Sequence, residues 1–143
     1  MPIRKRVEAD NANLAEVWRR SVTATHTFLT DADIQELYPQ VRDVYLRRVE
    51  VWVCVTVEGD IAGFIGMGGS HVEMLFVEPA RRGRSVGTRL LDHVKSMHQT
   101  LTVDVNEQNP QAHGFYRRYG FNDVGRSDTD AAGRPFPLIH MAL

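Results

Sequence analysis

The segment Arg81-Arg82-Gly83-Arg84-Ser85-Val86-Gly87 joins an apolar run, His71 to Val77, to a pattern typical of an amphipathic helix beginning near Ser85. The first N–H groups of a helix have no partner within it and lie at the positive end of its dipole. Glycines let the backbone approach a ligand closely, and three arginines add positive charge. The order strand, glycine-arginine turn and helix therefore predicts an anion site suited to a pyrophosphate. The alternative is an ordinary basic turn before a surface helix.

Other sites for nucleotides, metals or nucleophiles are disfavoured. A P-loop would end in Gly-Lys-Ser/Thr, and this segment does not. His71-Val72-Glu73 is the His-x-Glu of a zinc deaminase, but that chemistry also needs Pro-Cys-x-x-Cys, and Cys54 is the only cysteine. Cys54 lies in an apolar strand pattern, where thiols are usually inert. We therefore expect no metal site and no cysteine nucleophile.

Length and composition indicate a globular protein. At 143 residues, 43% hydrophobic and 24% charged, the chain suits a single domain, 1–143, with its own core. No apolar run approaches the roughly 18 residues of a membrane span, and nothing resembles a signal peptide. A single cysteine suits a reducing cytoplasm. With a net charge of −1, we expect neither nucleic acid nor a membrane as the main partner.

The order of apolar patterns predicts the fold class. It is strand, two helices, three strands, helix, strand, helix and two strands, which indicates an α/β sheet, mostly antiparallel, with a parallel crossover between the fourth and fifth strands. Thr23 to Leu29 breaks the first helical pattern and is predicted to be a loop. Thr30 and Asp33 form a capping pair for the second helix, which Pro39 should kink near Tyr38.

A second segment gives the first one its specificity. This segment is Asn109-Pro110-Gln111-Ala112-His113-Gly114-Phe115-Tyr116-Arg117-Arg118-Tyr119-Gly120-Phe121. It resembles the Asn-x-x-Ala-x-x-Phe-Tyr-x-x-x-Gly-Phe segment of the GNAT (Gcn5-related N-acetyltransferase) superfamily. Arg82 to Gly87 resembles that superfamily's Gln/Arg-x-x-Gly-x-Gly/Ala motif, with Ser85 where the middle glycine is usual. More narrowly, four segments resemble the bacterial YjaB-type acetyltransferases: Ser21 to Leu29, Asn106 to Asn109, Gly125 to Ser127 and Pro135 to Pro137.

The resemblance implies a GNAT-like fold of about four helices in which the fourth and fifth strands splay apart. It implies that acetyl-CoA is the acyl donor and that a primary amine, either a peptidyl lysine or a small molecule, is the acceptor in a ternary complex. A monomer and a homodimer both remain open. Carried over position by position, the donor-binding residues are Leu75, Phe76, Val77, Arg82, Gly83, Arg84, Ser85, Val86, Gly87, Thr88, Asn109 and Tyr116.

Three residues are candidates for proton transfer. The resemblance implies that Tyr116 protonates the leaving thiolate, although its spacing also suits a core residue beside Phe115. His71 and Glu73 lie two apart on the fourth strand and share a face, so either, or a water molecule, could act as the base. A surface histidine at a strand entrance is the alternative for His71.

The acceptor pocket has two candidates, His26 and Phe28, in the loop between the first two helices. Such loops shape that pocket in similar enzymes, but ordinary loop chemistry would explain both residues as well. A function of another class also stays open, because a non-catalytic acyl-CoA sensor could keep the arginine-glycine turn without needing Tyr116 for catalysis.

Overall fold

A computed structural model describes all residues, 1 to 143, as one seven-stranded sheet in the order β1-β2-β3-β4-β5-β7-β6. The strands are β1 Ile3–Lys5, β2 Glu50–Val55, β3 Ile61–Gly68, β4 His71–Val77, β5 Thr102–Asn106, β6 Asn122–Ser127 and β7 Leu138–Ala142. The helices are α1 Asn11–Thr25, α2 Asp31–Gln40, α3 Leu46–Arg48, α4 Val86–Lys95 and α5 Pro110–Tyr119. No helix combines the length and apolar content that crossing a membrane requires.

The parallel pair β4–β5 is the feature that shapes the molecule. All other neighbouring strands are antiparallel, so the predicted mixed sheet is confirmed. β4 and β5 pair only at His71 with Thr102 and at Val72 with Val103, and then diverge as predicted. On the other edge of β4, a β-bulge puts Glu73 between the residues that pair with β3. Because bulges bend a strand, this one helps to turn β4 away from β5.

Each face of the sheet has its own core. α4 and α5 cover one face, and α1 and α2 cover the other. Gly63 of β3 lets α4 approach the first face, because a Cβ there would lie 2.8 Å from the Phe76 carbonyl oxygen and 3.0 Å from Val86 Cγ1. The first core includes Ile65, Leu90, Leu91, Val103, Tyr116 and Phe121. The second includes Leu14, Trp18, Leu46, Val53 and Phe64.

The segment between α1 and α2 differs from the sequence prediction. The predicted loop from Thr23 was too long, since α1 continues to Thr25 and brings His26 to the helix end. The capping box of Thr30 and Asp33 is confirmed. Pro39 lies inside α2, and the irregularity expected near Tyr38 follows Gln40 instead, as a π-helical turn over Val41–Tyr45.

Candidate active site

A cleft of about 580 Å³ opens where β4 and β5 diverge. β4 and β5 form its sides, the start of α4 forms one end, and α5 contributes a wall. The predicted donor-binding residues line it with one exception: they are Leu75, Phe76, Val77, Arg82, Gly83, Ser85, Val86, Gly87, Thr88, Asn109 and Tyr116. The exception is Arg84, which lines a neighbouring surface depression together with Arg20 and Glu78.

The turn before α4 has the backbone of an anion cradle. Gly83 and Ser85 both have left-handed backbone conformations, with φ of 76° and 62°. Ser85 precedes the helix, but its hydroxyl does not cap it. The first helical hydrogen bond runs from the Arg89 N–H to the Ser85 carbonyl oxygen, so the N–H groups of the preceding turn have no helical acceptor. These donors at the end of the cleft can bind a phosphate group.

Gly87 has a packing role that the motif alone did not indicate. A Cβ at this position would lie 3.0 Å from Phe115 Cζ, so the glycine lets the Phe115 ring of α5 pack against α4. Asn109 also has a structural role, because its Oδ1 accepts a hydrogen bond from the Ala112 N–H and caps α5. The two sequence motifs therefore meet in a single wall of the cleft.

Tyr116 lies in that wall and is 7% exposed. Its ring packs edge-on against Phe115 and Phe121, with centroid separations of 5.2 and 5.3 Å. Burial raises the pKa of the Tyr116 phenol well above its ordinary value. The residue thus belongs both to the core and to the cleft, and its hydroxyl keeps its proton at neutral pH.

The two candidate bases on β4 occupy different positions. Glu73 lines the cleft, where its side chain lies over Gly68. His71 lies outside the cleft lining, at the closed end where β4 and β5 still pair. Its Nδ1 is 2.7 Å from Thr102 Oγ1, and its Nε2 is 3.5 Å from Asp104 Oδ2. One ring nitrogen of His71 is therefore hydrogen-bonded, and the other faces a carboxylate.

His26 lines the cleft, whereas Phe28 stands behind it. The His26 ring lies 5.3 Å from Phe28 and 6.4 Å from Phe76, and Phe28 lies 5.5 Å from Phe136 of the β6–β7 loop. Burial, with a contribution from the Arg82 charge, lowers the pKa of His26 to about 4. The ring is therefore neutral at pH 7.

Hydrogen bonding fixes the tautomer of His26. Thr25 Oγ1 donates to the Ser21 carbonyl oxygen at 2.8 Å and lies 2.8 Å from His26 Nδ1. Since the hydroxyl proton is already used, Nδ1 must carry the ring proton and donate it to Thr25. The lone pair of Nε2 then remains available to a ligand.

Three residues that were not among the predicted site residues lie on the side of the cleft near His26. Asp104 and Asn106 line it from β5, and Phe136 packs against Phe28. Asn106 Oδ1 is buried and has no hydrogen-bond partner. The alternation of polar residues with Val103 and Val105 could have indicated one polar face, but not its position beside the cleft.

The sheet is mixed, its parallel strands diverge, and the cleft between them is lined by an anion cradle and a buried tyrosine. This combination defines an acyltransferase of the kind that uses a phosphorylated carrier. A family model described as an acetyltransferase (GNAT) domain matches residues 15–143, and the chain belongs to this family. The predicted N-acetyltransferase, with acetyl-CoA as the donor typical of the family, is thereby confirmed.

Similar proteins agree with this assignment. The peptidyl-lysine N-acetyltransferase YjaB of Salmonella typhimurium is 41% identical over 139 residues, which are 97% of this chain and 95% of the relative. The solution structure of apo YjaB from Escherichia coli has a TM-score of 0.91 at 41% identity, covering 99% of this chain and 95% of that one. The resemblance to YjaB-type acetyltransferases is confirmed. PaiA N-acetyltransferase from Thermoplasma acidophilum, in complex with coenzyme A, shares the fold at TM-score 0.79 and 19% identity, with 99% and 98% coverage.

Proposed function

We propose that this protein transfers an acetyl group from acetyl-CoA directly to the side-chain amine of a lysine in a protein, within a ternary complex. The observation that carries the proposal is the cleft itself, which is lined by the anion cradle and by polar groups from both faces of the sheet. A donor and an acceptor can therefore occupy it together. The names of the YjaB relatives support a peptidyl lysine as the acceptor.

The donor would bind along β4. Beyond Val72, the β4 edge facing the cleft has no partner strand, so backbone groups of Leu75 to Val77 can pair with the amides of the pantetheine arm. Arg82 and the free N–H groups at the start of α4 would hold the pyrophosphate. A β4 N–H near the thioester would stabilise the oxyanion of the tetrahedral intermediate. Cys54 is fully buried outside the cleft, which favours direct transfer over a thiol-linked acyl enzyme.

The reaction forms a C–N bond and breaks the C–S bond, and the lysine ammonium loses two protons: the first before the amine attacks, the second from the nitrogen after the attack, while the CoA thiolate gains one proton and one is released to solvent. A lysine amine has a pKa near 10.4, so it must lose a proton before it attacks. Glu73 lines the cleft and would accept that proton directly or through water, and His71 could act only through Asp104. Tyr116 lines the cleft and would donate its proton to the CoA thiolate, and it would regain a proton from the one that the acceptor nitrogen releases after the attack.

An acceptor screen tests this function. The wild-type protein is mixed with acetyl-CoA and a lysyl peptide, a polyamine or an aminoglycoside, and both CoA release and product mass are measured. We expect acetylation of the lysine ε-amine, and preference for a small-molecule amine would contradict the proposal. A non-catalytic sensor predicts calorimetric binding of acetyl-CoA without turnover on any acceptor.

A further inference from the structure

Polar side chains form a continuous chain across four strands beside the cleft. Asp104 Oδ1 lies 2.6 Å from His140 Nδ1, and His140 Nε2 lies 2.6 Å from Ser127 Oγ. On the other side, Asp104 Oδ2 lies 3.5 Å from His71 Nε2. Strand register puts these groups of β4, β5, β7 and β6 on the sheet face that also carries α1 and α2. Asp104 is the member that lines the cleft.

The partners of each nitrogen determine the direction of these hydrogen bonds. A carboxylate only accepts, so His140 Nδ1 carries a proton and donates it to Asp104. His140 Nε2 then accepts from the Ser127 hydroxyl. His71 Nδ1 lies 2.7 Å from the Thr102 hydroxyl, so Nε2 is the ring nitrogen that faces Asp104, at 3.5 Å from Oδ2. Asp104 is thus flanked by two imidazole rings, and none of its ion pairs involves a lysine or an arginine.

The surroundings of Asp104 suit a positively charged amine. Asp104 follows the last residue of β5 that pairs with β4, so Glu73 stands across the opening of the cleft. Asn106 lies two residues further on the same face, and its buried Oδ1 lacks a donor. The arginines that line the cleft, Arg81, Arg82 and Arg118, belong to the cradle and to α5 rather than to this face. His26 contributes a neutral ring. An ammonium group could therefore be bound here without a neighbouring positive charge on β5.

We propose that Asp104, held in place by His140 and Ser127, recognises the positively charged amine of the acceptor. Asp104 is then an acceptor-binding residue, with Asn106 Oδ1 as a second hydrogen-bond acceptor, and His140 and Ser127 are positioning residues. The inference rests on the proposed transfer to a lysine amine and deepens it. A purely structural alternative is that the chain of polar groups only ties β5, β7 and β6 together.

Binding without turnover tests the recognition step. Nα-acetyl-lysine methylamide is titrated into the protein with CoA present, and the imidazole signals of His71 and His140 are followed by NMR. We expect both to shift, and we expect the uncharged isostere Nα-acetyl-norleucine methylamide to leave them unchanged. Asp104→Asn should abolish the response to the lysine ligand. Equal responses to both ligands, or an undiminished response in Asp104→Asn, would overturn the proposal even if no lysyl peptide is ever acetylated.

Kinetics test the positioning role. Asp104→Asn should raise KM for a lysyl peptide by about tenfold or more, as for a lost charge-assisted hydrogen bond, without changing the Kd of acetyl-CoA. Ser127→Ala should raise the same KM severalfold, and Ser127→Thr, which keeps the hydroxyl, should restore it. If Ser127→Ala lowers the melting temperature but leaves this KM unchanged, the chain is only structural. If acetyl-CoA binds but the wild type turns over no lysine, the proposed function fails and the NMR titration alone decides this inference.

Discussion

The proposed donor side of the cleft and its proposed acceptor side are built in different ways. The donor side uses two short continuous segments, Arg81 to Thr88 and Asn109 to Tyr116, together with one strand edge. Its binding groups are largely backbone N–H groups whose direction follows from a turn and a helix start. The acceptor side is assembled from side chains of α1, β4, β5 and the loops around Phe28 and Phe136. The first can therefore be inherited as a motif, whereas the second depends on the whole fold.

This difference predicts which substitutions affect one side only. Backbone binding sites tolerate a change of side chain unless it alters φ or blocks a close approach. A site made of side chains loses a specific hydrogen bond or charge with each substitution. Effects on CoA affinity should therefore come from the cradle, and effects on acceptor selectivity from β5 and the α1–α2 loop.

The largest expected effect is on the transfer of a proton to the leaving thiolate, a step that involves both the donor and the acceptor. Tyr116→Phe should lower kcat by about 100-fold to 1000-fold, because it removes the proton donor to the thiolate. The Kd of acetyl-CoA and the melting temperature should change little, since the ring still packs against Phe115 and Phe121. Steady-state CoA release and calorimetry measure these quantities.

A matched control is available on the same helix. Tyr119 donates from its hydroxyl to Asp92 Oδ1 at 2.6 Å and does not line the cleft. Tyr119→Phe should leave kcat within about twofold of the wild type, since a surface hydrogen bond contributes little to a distant reaction. An unchanged kcat in Tyr116→Phe would assign the tyrosine to the core alone.

The second-largest expected effect is on stability, and it comes from the buried His26 ring in the wall of the cleft, which makes stability depend on pH. The pKa of His26 is lowered to about 4, so the unfolded chain binds a proton more readily than the folded one. Stability is complete above the ordinary histidine pKa and falls as pH decreases from about 6.5 to about 4, by about 2 to 3 kcal/mol. Urea unfolding of the wild type and His26→Gln, at pH 7 and pH 4.5, measures this loss.

Between these two pH values, His26→Gln should lose less stability than the wild type, and the difference should be most of the about 2 to 3 kcal/mol assigned to the His26 ring. Carboxylates whose pKa values are lowered, such as those of Asp10 and Glu16, contribute equally to both proteins and cancel in the difference. Equal pH dependence in the two proteins would mean that the His26 ring is solvated and does not form a buried wall.

The same contrast explains how much could be inferred from the sequence. The two motifs, the order of elements along the chain and the parallel pair were predictable because each depends on neighbouring residues or on apolar periodicity. The capping pair of Thr30 and Asp33 at the start of α2 was predictable for the same reason. Arg84 was assigned to the cradle by its motif position, and only the turn geometry directs its side chain elsewhere.

The acceptor side could not be predicted in this way. Asp104 meets His140 across β5 and β7, which are separated by α5 and β6 in the chain, and no local pattern encodes that register. The face that His71 shares with Glu73 on one strand made it a candidate base, but its Nδ1 bonds to Thr102 and its Nε2 faces Asp104. Such pairings depend on the register between distant strands, which the periodicity of one strand does not specify.

The third prediction asks whether the two sides communicate. Arg82→Ala should weaken binding of acetyl-CoA by about tenfold, as expected for loss of one charged phosphate contact. It should also raise the pKa of His26, because the Arg82 charge contributes to lowering it. Calorimetry and the pH titration of the His26 NMR signals measure the two effects.

Arg117 provides the control for a general loss of positive charge. Its guanidinium pairs with Asp123 Oδ2 at 2.5 Å and does not line the cleft. Arg117→Ala should leave both the Kd and the His26 pKa unchanged. If Arg82→Ala alters the Kd and not the His26 titration, the donor and acceptor sides are electrostatically independent.

The smallest expected effect tests the one departure from the family motif. Ser85 has a φ of 62°, a left-handed conformation that costs an L-residue about 1 to 2 kcal/mol and glycine almost nothing. Because glycine also increases the entropy of the unfolded chain, Ser85→Gly should stabilise the protein by less than about 1 kcal/mol. Denaturant unfolding with and without CoA measures it. The Ser85 hydroxyl does not cap α4, and the cradle binds through backbone N–H groups, so CoA affinity should be retained. A loss of affinity would mean that this hydroxyl contacts the phosphates. In that case one side chain of the donor side would contribute to binding in the way that the acceptor side does, and the contrast between a backbone site and a side-chain site would narrow.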